Sequence, residues 1–151
     1  MTSKEKEIVV SFGCQILILG FFLIRMFQFL QDGELESGKV FHLWITVIII
    51  EIVVTIVGII LAHILSAIVQ SIQNGGEEPQ IDDVEDERDK LIGLKGTRVA
   101  YIASSIGIFL AMLTFVYGQP ALVMFSLIVL SGVVAQIISD LSKLYLYRRG
   151  F

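Results

Sequence analysis

The segment that decides the fold runs from Phe41 to Gln73 and reads FHLWITVIIIEIVVTIVGIILAHILSAIVQSIQ. At about 1.5 Å per residue, it would form roughly 50 Å of α-helix. The hydrocarbon core of a bilayer is only about 30 Å thick. The sequence therefore predicts a transmembrane helix that tilts or protrudes from the membrane.

Three further apolar runs, at about residues 8–30, 99–117 and 121–139, are each near the length of about 20 residues that crosses a bilayer. The chain is 55% hydrophobic and has a mean hydropathy of +0.81, whereas soluble domains are about 45–50% apolar. The turn signal Gly118-Gln119-Pro120 would join the last two spans as a helical hairpin. We therefore predict an all-α polytopic membrane protein, one domain over residues 1–151, with four transmembrane helices in two hairpins.

The distribution of basic residues predicts the orientation. Of the 11 Lys and Arg residues, Lys39 lies on one side of the membrane, Arg25 lies within the first span, and the other nine lie on the opposite side. Lys and Arg accumulate in cytoplasmic loops. We therefore expect both termini and the loop 74–98 to lie in the cytoplasm.

Two short motifs lie in the second half of the chain. Asp86-Glu87-Arg88-Asp89-Lys90 precedes the third span, and Tyr145-Leu146-Tyr147-Arg148-Arg149-Gly150 follows the fourth. On these motifs, residues 85–150 resemble a group of small, uncharacterised bacterial four-helix inner-membrane proteins. The resemblance implies the same location and architecture, and it implies no activity, substrate or cofactor.

Glu51 is the strongest candidate for an intramembrane site. It lies about ten residues from the outer end of its helix, roughly 15 Å deep and close to the bilayer midplane. An ionised carboxylate costs at least about 2.5–3.5 kcal/mol there, so such acids are protonated, paired or next to water, and they commonly mark proton or cation pathways. In this respect Glu51 is similar to the membrane glutamate of small multidrug transporters, whose other motifs are absent here. The alternative is a hydrogen-bonded Glu51 that fixes helix packing.

Four other polar residues are candidates for ion coupling: Arg25, Thr55, His63 and Gln136. Thr55 and His63 share a loose helical stripe with Glu51. His63 and Gln136 occupy equivalent positions in segments of weakly similar sequence, and each is either a hydrogen-bonded packing residue or a proton or ligand site. Arg25 either extends its side chain to the outer interface or pairs with Glu51.

The charged stretch before the third span has two interpretations. We predict a short helix that begins at about Asp82 or later and continues into the third span, because acidic residues suit a helix N-terminus, and its charged face is either a protein-docking surface or solvated. Its docking candidates are Asp86, Glu87, Arg88, Asp89 and Lys90. The stretch lacks the ligand spacing of an EF-hand, and its interleaved basic residues favour internal salt bridges over metal binding.

The sequence contains no nucleophile elbow, phosphate loop, paired cysteines or His-Glu-x-x-His motif. Its net charge of −4 gives no indication of a nucleic-acid partner. We therefore expect no enzymatic activity, no cofactor and no metal. The predicted function is that of a membrane protein that binds a cytoplasmic or membrane protein partner through the loop 74–98, or that acts as an oligomeric component of the lipid bilayer, and we expect a homo-oligomer. The alternative is a small proton- or cation-coupled transporter that uses Glu51.

Overall fold

The computed structural model describes residues 3–33, 36–73 and 87–149. Within these residues the regular elements are four helices: α1 (Ser3–Gln31), α2 (Ser37–Gln73), α3 (Glu87–Val116) and α4 (Ala121–Arg148). Each helix contains a stretch that is long and apolar enough to cross a membrane. The predicted all-α architecture with four helices of membrane-spanning length is therefore confirmed.

The helices extend beyond the predicted spans. α1 begins at Ser3 instead of residue 8, and α3 begins at Glu87, so that residues 87–98 of the predicted loop form the first turns of a helix. Glu87 and Asp89 lie in the first turn of α3, where the positive end of the helix dipole favours acidic side chains. The rest of that loop, residues 74–86, lies outside the described residues.

The connection between α3 and α4 is the predicted tight turn. Gly118 has a φ of +82°, a left-handed conformation that glycine adopts without steric cost. Pro120 precedes the first residue of α4 with a φ of −54°, where the missing N–H removes no helical hydrogen bond. The expected hairpin of α3 and α4 is therefore confirmed at its turn.

α1 and α4 lie at the centre of the bundle. α2 packs on α1, α3 packs on α4, and the contact between α1 and α4 joins the two pairs. The buried core cluster is drawn from three helices and consists of Ile18, Phe22, Leu43, Val47 and Val133. Lipid tails are as apolar as these side chains, so close packing rather than the hydrophobic effect favours such contacts in a bilayer.

Two glycines of α3 lie directly against side chains of α4. A Cβ atom added at Gly107 would lie 2.5 Å from the Cβ of Ser131, and one added at Gly96 would lie 2.5 Å from the Cε of Lys143. Small residues allow such close contact between membrane helices. Added Cβ atoms would meet open space at Gly13, Gly20 and Gly58.

α2 is progressively less covered along its length. Val40, Leu43 and Val47 are between 0 and 6% exposed. Further along the same face, at spacings of three and four residues, Glu51 and Gly58 are only half-buried. The middle of α2 therefore continues the core-facing stripe, although the described helices cover it incompletely.

Candidate functional site

Glu51 lies midway along α2 with a half-buried side chain. Its carboxylate has no hydrogen-bond or ion-pair partner among the described residues. Thr55, one turn further, is exposed and donates its Oγ1 hydrogen bond to the backbone oxygen of Glu51 at 2.7 Å. The hydroxyl oxygen of Thr55 therefore remains able to accept a hydrogen bond from outside the chain.

Arg25 is exposed near the end of α1. Its Nη1 donates to Oε1 of Gln28 at 3.3 Å, one turn closer to the end of the helix. The guanidinium group makes no ion pair with Glu51 within the described structure. The side chain faces a groove that it shares with Lys39 and His42 of α2.

The side chain of His63 lies outside the described part of the structure, and so does the whole of Asp86. Of the remaining docking candidates, Glu87 and Lys90 are exposed, whereas Arg88 and Asp89 are half-buried. The four described candidates therefore do not form one uniform exposed surface.

Gln136 belongs to a group of polar side chains between α1 and α4, which we call the Asp140 cluster. Its members are Ser11, Gln15, Gln136, Asp140 and Lys143. Asp140 is only 1% exposed. Its Oδ2 accepts a hydrogen bond from Ser11 Oγ at 2.8 Å, and its Oδ1 accepts one from Lys143 Nζ at 3.0 Å and a longer one from Gln136 Nε2 at 3.4 Å.

The register of the two helices explains this grouping. α1 and α4 are antiparallel neighbours that meet at Ser11 and Asp140. One turn further into the bundle, Gln15 follows on α1 and Gln136 precedes Asp140 on α4, so the two amides lie at the same level. Gln15 is 4% exposed, and its Oε1 has no hydrogen-bond partner among the described residues.

The Asp140 cluster also connects to α3. Ser139 Oγ donates to the backbone oxygen of Gly96 at 2.9 Å, and the side chain of Lys143 lies directly against Gly96. The side chain of Lys143 is 21% exposed, whereas that of Asp140 is 2% exposed. The ammonium group therefore neutralises the buried carboxylate and still reaches the surface, and one polar layer holds three helices together.

A second polar contact joins the beginning of α3 to the end of α4. Tyr147 donates its hydroxyl hydrogen bond to Asp89 Oδ1 at 2.7 Å. Arg88 Nη2 donates to the backbone oxygen of Tyr147 at 3.4 Å, and its guanidinium carbon lies 5.8 Å from the centre of the tyrosine ring. We call Arg88, Asp89 and Tyr147 the Tyr147 latch. It uses two of the residues that the sequence suggested for partner docking.

Sequence reasoning missed most of the Asp140 cluster. A signal was present, because Ser11 and Gln15, and likewise Gln136 and Asp140, are polar pairs four residues apart in apolar helices. Such pairs lie on one helix face.

Among the described residues, no group of three or more His, Cys, Asp or Glu side chains could hold a metal ion.

No family model matches the chain, and no curated protein or solved structure shows significant similarity to it. The resemblance of residues 85–150 to small bacterial four-helix membrane proteins therefore stays a prediction.

Proposed function

We propose that the protein is a non-enzymatic component of the bacterial inner membrane that acts as a homo-oligomer, with α2 as the helix that contacts the second copy. The observation that carries this proposal is the incompletely covered face of α2 around Glu51. The lipid bilayer is its medium, and a protein partner at exposed residues such as Glu87 and Lys90 is compatible with this role.

The orientation follows from the basic residues. The Asp140 cluster and the Tyr147 latch mark one end of the bundle, where Lys90, Lys143 and Arg148 also lie. The opposite end carries Lys39. By the positive-inside rule, the end with both termini is cytoplasmic.

A cysteine-accessibility experiment tests this orientation. Cys14 is replaced by serine, and single cysteines are introduced at Asp32 and at Glu87, which are both exposed. We expect a membrane-impermeant maleimide to label Asp32→Cys in intact cells, and to label Glu87→Cys only after the cells are opened. The reverse labelling pattern would contradict the proposed orientation, and labelling of Asp32→Cys in detergent is the control for reactivity.

The assembly follows from the energetics of Glu51. A carboxylate near the middle of a transmembrane helix costs at least about 2.5–3.5 kcal/mol when it is ionised in lipid. The side chain of Glu51 is half-buried, and its carboxylate has no partner among the described residues. A hydrogen bond to a polar group of another molecule would therefore lower the free energy of this carboxylate in the membrane. A second α2 would supply Glu51 and Thr55 as hydrogen-bond donors and acceptors. Gly58, whose Cα faces open space, would let the two backbones approach.

Disulfide cross-linking tests the assembly. In the background without Cys14, Gly58→Cys lies on the Glu51 face, and Ile60→Cys lies on the opposite face at nearly the same depth. We expect oxidation in membranes to give several-fold more cross-linked dimer for Gly58→Cys than for Ile60→Cys. Equal cross-linking of both variants, or preferential cross-linking of Ile60→Cys, would contradict an oligomer built on the Glu51 face.

The second candidate function is a proton- or cation-coupled transporter, and it is favoured by the same incompletely covered carboxyl group. Glu51→Gln distinguishes the two functions, because an amide replaces a protonated acid in most hydrogen bonds but does not titrate. In proteoliposomes loaded with a pH-sensitive dye, a transporter would show proton flux that Glu51→Gln abolishes. For the oligomeric component, Glu51→Gln leaves the Gly58→Cys cross-link nearly unchanged and wild-type vesicles show no protein-dependent flux.

A further inference from the structure

An open groove of about 300 Å³ lies between the last third of α1 and the first turns of α2. We call it the Arg25 groove. Phe21, Phe29 and Leu43 form its apolar walls, and Arg25 and His42 lie along it. It lies at the end of the bundle opposite the Asp140 cluster.

The groove concentrates basic groups. Arg25, Lys39 and His42 all line it, and none of the described residues that line it is acidic. Arg25 keeps most of its donors available, because the one contact of its guanidinium that is described is a hydrogen bond of 3.3 Å to an exposed glutamine. Arg25 and His42 are the main basic groups of the groove, and Lys39 adds a charge at its rim.

The depth of the basic groups matches that of lipid headgroups. Arg25 lies six residues before the end of α1 at Gln31, roughly 9 Å of helix. Its long side chain points toward that end, since it contacts Gln28. A snorkelling arginine at this depth places its charge in the interfacial region, where phosphate groups lie.

We infer that the Arg25 groove binds one anionic glycerophospholipid. The guanidinium of Arg25 presents parallel N–H donors that match two phosphate oxygens, and His42 and Lys39 supply further positive or donor groups. An acyl chain of the same lipid lies against Phe21, which is about one turn deeper in the membrane than Arg25. A small soluble anion would leave these apolar walls unfilled, so the combination of basic rim and apolar walls fits an amphiphile. This inference does not depend on the proposed oligomer.

The single tryptophan provides the measurement. Trp44 follows Leu43 of the groove wall and packs against Phe125 of α4, so it lies next to the groove without lining it. The full-length protein is reconstituted in phosphatidylcholine vesicles that contain a small fraction of lipid with brominated acyl chains, either phosphatidylglycerol or phosphatidylcholine. Bromine quenches tryptophan fluorescence at short range. We expect brominated phosphatidylglycerol to quench Trp44 more strongly, with a preference of about fivefold for each basic group that contributes.

Two double variants identify the site. Arg25→Gln with His42→Gln should remove most of the preference for phosphatidylglycerol. The control variant combines Lys90→Gln with Arg98→Gln, at exposed positions near the beginning of α3 and at the end of the bundle opposite the groove. It should leave the preference for phosphatidylglycerol intact. Circular dichroism and gel filtration verify that both variants keep the fold.

Three results would overturn the inference. Equal quenching by the two brominated lipids in the wild-type protein would show that the groove has no preference for anionic lipid. An equal loss in both double variants would show general attraction to a charged surface. Release of the quenching by millimolar inorganic phosphate would identify a soluble anion as the occupant. The first and third results are obtained with the wild-type protein and do not depend on how any variant folds.

Discussion

Lys143→Met lowers the free energy of unfolding by about 3 kcal/mol, because it leaves the Asp140 carboxylate buried without its counter-charge. Breaking a buried ion pair by removing one partner typically costs about 3–5 kcal/mol. Asp140 is 1% exposed and would keep only its hydrogen bonds from Ser11 and Gln136. We place the effect at the low end of the range because the hydrogen bonds from Ser11 and Gln136 remain. Reversible unfolding by sodium dodecyl sulfate in mixed micelles, followed by circular dichroism, measures the change.

A second substitution separates charge from packing. Asp140→Asn combined with Lys143→Met removes both charges, and we expect the double variant to be more stable than Lys143→Met alone, since an amide still accepts from Ser11. Such coupling is expected for residues in one hydrogen-bonded group. Lys90→Met, at an exposed position of α3, is the matched control and should change stability by less than about 0.5 kcal/mol. If the effects of Asp140→Asn and Lys143→Met on the free energy of unfolding simply added, an ion pair that stabilises the fold would be contradicted.

Tyr147→Ala is expected to reduce stability by about 2–3 kcal/mol and to release the first turns of α3 from α4. Truncation of a buried aromatic side chain costs about 3–5 kcal/mol in a protein interior, and the position near the end of α4 reduces that value. The variant also removes the hydrogen bond to Asp89 and the ring beside Arg88. Hydrogen exchange in detergent should show faster exchange in residues 87–95, with little change in residues 105–115.

Tyr145 offers a matched control for the Tyr147 latch. It lies two residues earlier on the same helix, is 58% exposed, and contacts Arg149 through its hydroxyl and its ring. Tyr145→Ala should therefore leave exchange in α3 unchanged. Tyr147→Phe should show an intermediate effect, because it keeps the ring and loses the hydrogen bond to Asp89. If Tyr145→Ala and Tyr147→Ala accelerated exchange in α3 equally, the latch would have no specific role.

The number and type of the helices followed from the sequence because membrane-spanning helices are decided by long apolar runs. The run from Phe41 to Gln73 and the turn at Gly118 are local signals, and both corresponded closely to the structure. The ends of the helices were less predictable. Hydropathy alone placed the start of the third span near residue 99, whereas the acidic residues before it correctly indicated a helical extension, and α3 begins at Glu87.

The candidate site was less predictable for a physical reason. Glu51 and Gln136 stood out because each interrupts an apolar run. The burial of Asp140 depends on which residue of α1 lies opposite it, and Ser11 is 129 positions away in the chain. Such a register is set by side-chain packing across the α1–α4 contact, and periodicity within one helix contains no information about it. The burial of Asp140 therefore becomes evident only once Ser11 of α1 is placed against it.

The separation of Ser11 and Asp140 along the chain has a consequence for biosynthesis. At about 5–20 residues per second, the 129 positions between them correspond to roughly 6–26 s of translation. During that interval α1 has left the ribosome with Ser11 and Gln15 still lacking the helix that covers them. α4, which is synthesised after α1, is thus the helix that completes the burial of the polar face of α1.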